Sequence, residues 1–373
     1  MKIINGLVFH ENQGFVKETL YIENGHFSDH TTDNTLIDAD GCYVIPGLID
    51  IHFHGCVGHD FCDASPEGLA AMAEYELSQG ITSICPASMT LSKDMLLDIC
   101  KNGRTFAKEQ NSDSQSRLVG INLEGPFIAY EKRGAQNPAY IATASYEMLR
   151  ELQQASGGLV KLLTLAPETE GAMDFMKEVK SSELKNISIS IGHTTSDYDT
   201  ALEAFHNGAD HVTHLFNAMP GFTHRAPGVI GAAFDTPNCF AEMICDGVHI
   251  HPSAIRTAFS MFSDDRIVLI SDSMMATGKP DGMYALGGQD VIVKGNHATL
   301  KDGTLAGSVT NLADCMRTAV SMGIPLASAV KCATINPARS IGIDDKYGSL
   351  EVGKVADFVL LNPDLSLREV HKA

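Results

Sequence analysis

Eight short apolar runs recur along the chain, separated by stretches of helical character, and this alternation restricts the fold more than any other feature. The runs are Tyr43 to Ile51, Ile81 to Pro86, Leu118 to Leu123, Val160 to Leu165, Ile187 to Ile191, His211 to Leu215, Phe240 to Cys245 and Ile267 to Ser271. They are nearly continuous in apolar character, as strands covered on both faces are. Ser65-Pro66 supplies an N-cap followed by proline at the first helical position, and Gly80 closes that helix. Eight strand–helix units predict an α/β fold, a closed (β/α)8 TIM-like barrel of about 250 residues.

Residues 1–46 read as short strands with turns, Asn5-Gly6 and Asn24-Gly25 being hairpin-type signals. The stretch from Gly348 to Leu361 is again extended. The two ends are therefore expected to meet in a small β-sandwich domain (1–46 and 348–373) beside a barrel domain (47–347). A glycine-rich extended piece, Gly282 to Gly307, looks like an insertion after the eighth strand, ahead of helices near Val309 to Met322 and Pro325 to Thr334.

A formal charge of −19 argues against nucleic acid as a partner, since phosphate binding needs basic surface. An anionic substrate would have to meet a local cationic cluster. No uncharged run approaches the ~20 residues that cross a bilayer, and Met-Lys-Ile-Ile-Asn-Gly carries no secretory apolar core. Nine scattered cysteines suit reduced core thiols in a cytoplasmic protein. Cys56 and Cys62 lie near the first histidine pair, and buried structural thiols are the preferred reading over ligands.

The ends of the runs carry the chemistry. His52 and His54 flank Phe53 at the end of the first, and period-two alternation puts both imidazoles on one face. Glu124 ends the third in Leu123-Glu124-Gly125-Pro126-Phe127; a carboxylate there needs a partner or a metal. His193 ends the fifth and His214 the sixth, whereas His211 has the wrong parity and reads as structural. Asp272 ends the eighth, where it is either a general base and acid or a helix N-cap. Imidazole and carboxylate donors suit a divalent metal, and an open site there lowers the pKa of water. Arg225, after a flexible loop, and His249 could hold a phosphate or carboxylate, although a lone arginine is more often a surface charge.

With these motifs the chain resembles the amidohydrolase superfamily and, within it, the deacetylases of N-acetylated amino-sugar phosphates. The narrow markers are Leu123-Glu124-Gly125-Pro126-Phe127, His214-Leu215-Phe216-Asn217-Ala218-Met219-Pro220, Asp246-Gly247-Val248-His249 and Leu305-Ala306-Gly307-Ser308. The resemblance implies hydrolysis of the acetamide of N-acetyl-D-glucosamine 6-phosphate to glucosamine 6-phosphate and acetate, in amino-sugar catabolism and cell-wall recycling. It implies a principal metal site of Glu124, His193 and His214, with Asp272 as the base that serves attack by metal-bound hydroxide. His52 and His54 place the chain with members that hold two metals, with Glu124 bridging. One or two divalent ions per subunit are expected, Zn, Fe, Mn or Co suiting the donors alike.

By the same resemblance Ala135, Asn217 and Ala218 line the sugar pocket, and Leu305, Ala306 and Gly307 close over it. Asp246, His249 and Arg225 fall on the substrate side, the last two reaching the phosphate and Arg225 coming from a neighbouring subunit of a homodimer. Gln136 stands where some relatives carry a histidine thought to polarise the acetyl carbonyl. Other amidohydrolases, such as cyclic amidases or N-acyl-amino-acid deacylases, lack the Glu124 and His214 motif contexts. A non-catalytic scaffold is a third alternative, although such proteins usually lose ligands that this chain keeps.

Overall fold

The computed structural model describes residues 1–111 and 113–373. Its barrel strands are Leu48–Asp50, Ile81–Ile84, Ile121–Glu124, Val160–Leu165, Ser188–Ile191, His211–Val212, Phe240–Ile244 and Ile267–Ile270. All neighbours pair in parallel, from Leu48 opposite Ile81 to Ile244 opposite Ile270. Ala87–Ser88, just beyond the second strand, carries the ladder to the third. The circle closes beyond the strands proper, where Asp272 N–H donates to the His52 carbonyl at 2.9 Å and His54 N–H to Ser273 at 2.7 Å. Three of the four residues in these closing bonds are site candidates from the sequence.

Apolar character throughout each run follows from the double burial: Ile267, Val268, Leu269 and Ile270 are all inaccessible to solvent. On the outer side, helices such as Pro66–Ser78 turn Leu69, Met72 and Ala73 inward. That helix begins with Ser65 capping Gly68 N–H, as its sequence leads one to expect.

The chain's two ends form one seven-stranded sheet in which Phe358–Leu361 pairs antiparallel with Tyr43–Pro46. It has its own interior of Ile3, Val8, Leu20, Val44, Phe358 and Leu360. Three local expectations need correcting. The run Tyr43 to Ile51 is two strands: Tyr43–Pro46 belongs to the terminal sheet and Leu48–Asp50 to the barrel. Gly47 divides them, and a Cβ there would lie 2.0 Å from Thr82 Oγ1. Asn5-Gly6 is a bulge within the strand Lys2–His10 and not a hairpin, since Val44 packs where a Gly6 side chain would stand. The hairpin falls at Glu11–Gln13 instead, while Asn24-Gly25 is a turn as expected. In the tail, only Phe358–Leu361 of the extended stretch is strand, and Leu367–His371 adds another that composition did not mark.

The glycine-rich insertion is an antiparallel sheet of Gly282–Leu286, Gln289–Lys294 and His297–Thr299. It leans over the mouth of the barrel, where Gln289 donates to the carbonyl of Ala135. Helices Leu312–Ser321 and Leu326–Ala333 follow, within the stretches expected. Among the described residues no helix is long and apolar enough to cross a membrane.

Candidate metal centre

At the C-terminal mouth of the barrel four of the five ligand candidates, all imidazoles, meet on the fifth, the Glu124 carboxylate. Glu124 Oε1 lies 3.0 Å from Nε2 of both His193 and His214, and 3.4 Å from Nε2 of His52. Its other oxygen, Oε2, lies 3.4 Å from His54 Nε2. Two donor sets result, His52–His54–Glu124 and Glu124–His193–His214, each with its atoms within 4.8 Å of one another. Asp272 Oδ1 stands 3.2 Å from His54 Nε2 and 3.9 Å from His52 Nε2. Asp272 caps no helix; its backbone is held between His52 and Ser308.

Getting these side chains to one point imposes backbone strain. His193, His214 and Asp272 take φ values of 47°, 28° and 50°, in the left-handed region that side chains with a Cβ rarely adopt. Each such residue costs of order 1–3 kcal/mol and persists where surrounding structure over-determines it. Glu168 supplies part of that restraint after strand five, accepting from Thr194 Oγ1 at 2.5 Å and Ser196 Oγ at 2.7 Å. After strand three, Gly125 turns the chain at φ 84°, with Thr90 Oγ1 only 2.3 Å from where a Cβ would be.

The donors fit a metal better than they fit each other. Nε2 of His193 and Nε2 of His214 are 3.2 Å apart and both face Glu124 Oε1. Nε2 of His52, wholly buried, has no hydrogen-bond partner. A buried polar atom without a partner costs roughly 1–3 kcal/mol, so an unpartnered Nε2 facing a carboxylate that three further imidazoles surround marks a candidate cation site. Three of the four imidazoles are fixed from behind through Nδ1: His52 by Glu242 at 2.8 Å, His54 by the Ala87 carbonyl at 3.2 Å, His193 by the Lys132 carbonyl at 2.9 Å. Burial works against ionised Glu124, yet His193 and His52 outweigh it and hold the carboxyl well below its usual range. Burial likewise opposes charge on His54, but Asp272 and Glu124 push that imidazole up to about 10. The cluster is an anionic cradle that retains positive charge.

Above it opens a cavity of about 470 Å³ lined by Ala135, Gln136, Asn217, Ala218, His249, Leu305 and Gly307, together with Asp272 and four of the five ligand candidates, His54, Glu124, His193 and His214. Lys132, Arg133 and Thr304 also line it, and nothing in their spacing singled them out. Ala306 is fully buried and is not part of the cavity wall, and its N–H donates to Ala298. Asp246 is not in the wall; it holds His249, accepting from Nδ1 at 2.7 Å. Gln136 Nε2 donates to Glu124 Oε2 at 2.5 Å, and Thr90 N–H donates to its Oε1 at 2.6 Å. Both ends of its amide are therefore engaged. Arg225 is exposed and lines a separate depression with Thr195, Tyr198 and Pro220, away from its own chain's cavity.

Of the remaining candidates, His211 is structural, buried against Ser190 Oγ at 3.2 Å. Cys56 and Cys62 are free thiols outside both donor sets, and burial pushes both up in pKa. Glu242 was missed by sequence reasoning. The only trace of it is an acid inside the apolar run Phe240 to Cys245.

A barrel with strand-end histidines and carboxylates around one cavity defines a metal-dependent hydrolase class, and the chain belongs to the amidohydrolase family, whose model matches residues 43–372. Within that family it is 38% identical, over 86% of its length and 81% of the relative's, to the N-acetylglucosamine-6-phosphate deacetylase of Bacillus subtilis (strain 168). It is 32% identical to an N-acetylgalactosamine-6-phosphate deacetylase of Escherichia coli O157:H7, over 90% of this chain and 88% of that one. Among solved structures, a mutant N-acetyl-D-glucosamine-6-phosphate deacetylase from Mycobacterium smegmatis, in complex with N-acetyl-D-glucosamine-6-phosphate, superposes with a TM-score of 0.92 at 28% identity. That match covers 100% of this chain and 97% of that one.

Proposed function

We propose that this chain hydrolyses the acetamide of N-acetyl-D-glucosamine 6-phosphate, releasing glucosamine 6-phosphate and acetate. The observation that carries the reading is the convergence of four imidazoles and Asp272 on Glu124 beneath a sugar-sized cavity. Glu124, His193 and His214 would hold the principal ion, and His52 and His54 a second one that shares Glu124. Zinc, iron, manganese or cobalt all match these donors. When bound, a divalent cation supplies Lewis acidity at an acyl oxygen and acidifies water.

Asp272 sits at the edge of this cluster with its carboxylate facing the cavity. It takes the proton of the attacking water as the C–O bond forms and hands it to the amine nitrogen as the C–N bond breaks. Burial opposes its ionisation, but His54 and His52 keep it below the usual carboxylate range, so it starts as a base. Gln136, engaged at both ends, steadies Glu124 instead of polarising the acetyl group. Ala135, Asn217, Ala218, Leu305 and Gly307 form the sugar wall. His249, kept cationic by Asp246, meets the 6-phosphate.

Arg225, which lines no part of its own chain's cavity, reaches the phosphate of a neighbouring subunit, which makes the working unit a homodimer. Residues 47–347 act as the catalytic domain, and 1–46 with 348–373 as the supporting one. Nine free cysteines suit a cytoplasmic enzyme.

The test compares hydrolysis of four compounds: acetate release from N-acetyl-glucosamine 6-phosphate, its galacto epimer and unphosphorylated N-acetyl-glucosamine, and ring opening of a cyclic ureide. The phosphorylated gluco sugar should be preferred. Preference for the ureide, or indifference to the phosphate, would remove the reading.

A further inference from the structure

We infer that Glu242 is a positioning residue that sets the affinity of the His52–His54 cation site, an inference resting on the two-cation reading above. Glu242 comes from the middle of the seventh strand and is inaccessible to solvent. Its Oε2 accepts from His52 Nδ1 at 2.8 Å and from the His214 backbone N–H at 3.1 Å. One buried oxygen thus ties a ligand of each cation site to the other. Its Oε1 has no hydrogen bond; the nearest ionisable nitrogen is His211 Nδ1 at 3.8 Å.

A carboxylate can only accept, so His52 must carry its hydrogen on Nδ1, which leaves the Nε2 lone pair facing Glu124 and Asp272. Nε2 is the wholly buried nitrogen for which the protein provides no partner. Of the imidazoles fixed from behind, His54 and His193 rest on peptide carbonyls; among the described residues only His52 rests on a charged group. An anion behind an imidazole raises its basicity as a ligand and locks the ring, and removing such a partner typically weakens metal binding about 10–100-fold. The loss should fall on the site that uses His52 and spare the one that uses His193 and His214.

Chelator-stripped protein titrated with Co(II), followed by absorbance and by bound equivalents, tests this directly. Glu242→Gln keeps an acceptor for His52 and for His214 N–H but removes the charge. It should bind the first equivalent as wild type does and the second about 10–100-fold more weakly. Glu242→Leu, provided it folds, should hold a single equivalent. His52→Gln should lose the second site outright, and adding Glu242→Gln to it should change nothing more. Two equivalents bound by Glu242→Gln with wild-type affinity and spectrum would overturn the inference. Wild type binding only one equivalent, indifferent to His52→Gln, would instead sink the two-cation reading and this inference with it.

Discussion

Six side chains would divide the labour at the proposed site, and Asp272 is the one whose loss should separate binding from turnover. Changing it to Asn preserves shape and the contacts of its backbone but leaves no base. Turnover should fall about 10²–10⁴-fold while elemental analysis still finds the principal metal; near-native turnover would exclude Asp272 from proton transfer. His249 gives a pH signature. Burial lowers its pKa, but the bond to Asp246 outweighs that and raises it, so the imidazole stays cationic above an ordinary histidine's range of about 6.5. The stability it contributes is complete below the unfolded value and is lost as pH rises through the raised one. Asp246, lowered by His249 against the effect of burial, contributes stability above about pH 3.9 that is lost as pH falls through its own lowered value. Phosphate affinity should follow the imidazole: KM for the phosphorylated sugar climbs on the alkaline side, while that for the unphosphorylated one does not. Substituting His249 by Gln should raise the former and flatten its pH profile; an unchanged profile would put the phosphate elsewhere.

At the scale of strands and loops, the meeting of the candidate residues was legible because a parallel barrel gathers its strand ends at one mouth. Glu124, His193, His214 and Asp272 needed only to be recognised as polar residues ending apolar runs. What supports them was not legible. Glu242 lies mid-strand among apolar neighbours and Glu168 three residues past the end of the fourth strand, so each meets its partner only through tertiary packing. Asn5-Gly6 misled because the same dipeptide serves a bulge or a turn, and the packing of Val44, distant in sequence, decides between them. Gln136 could be flagged as a departure from a histidine, but its bond to Glu124 depends on how the loop after strand three folds back. Gly192 tests the strand-end geometry. A methyl there would come 2.6 Å from Thr213 Cβ and 2.9 Å from Thr164 Cγ2, prising strand five away from its neighbours. Gly192→Ala should cost roughly 1–3 kcal/mol in denaturant unfolding and weaken the principal metal site through the displaced His193. Unaltered stability would mean the barrel yields there at no cost.

For the whole molecule, the terminal sheet and the barrel share a continuous path through Pro46, Gly47 and Leu48, so the small sheet braces the strand that leads to His52 and His54. Arg225 carries the one consequence that a single chain cannot show. An Arg225→Ala chain mixed with an Asp272→Asn chain, after dissociation and reassociation, should regain activity that neither has alone. In the hybrid one cavity combines an intact Asp272 with the partner subunit's Arg225; no recovery from a mixture proven to contain hybrids would return Arg225 to the surface. The central claim is that the cluster on Glu124 works only with a bound cation. The most direct measurement follows acetate release from N-acetyl-glucosamine 6-phosphate, alongside metal content per subunit, through chelation and stepwise re-addition of metal. Activity should vanish with the metal and return in proportion to its re-occupancy; hydrolysis persisting in protein shown to be metal-free would contradict the account.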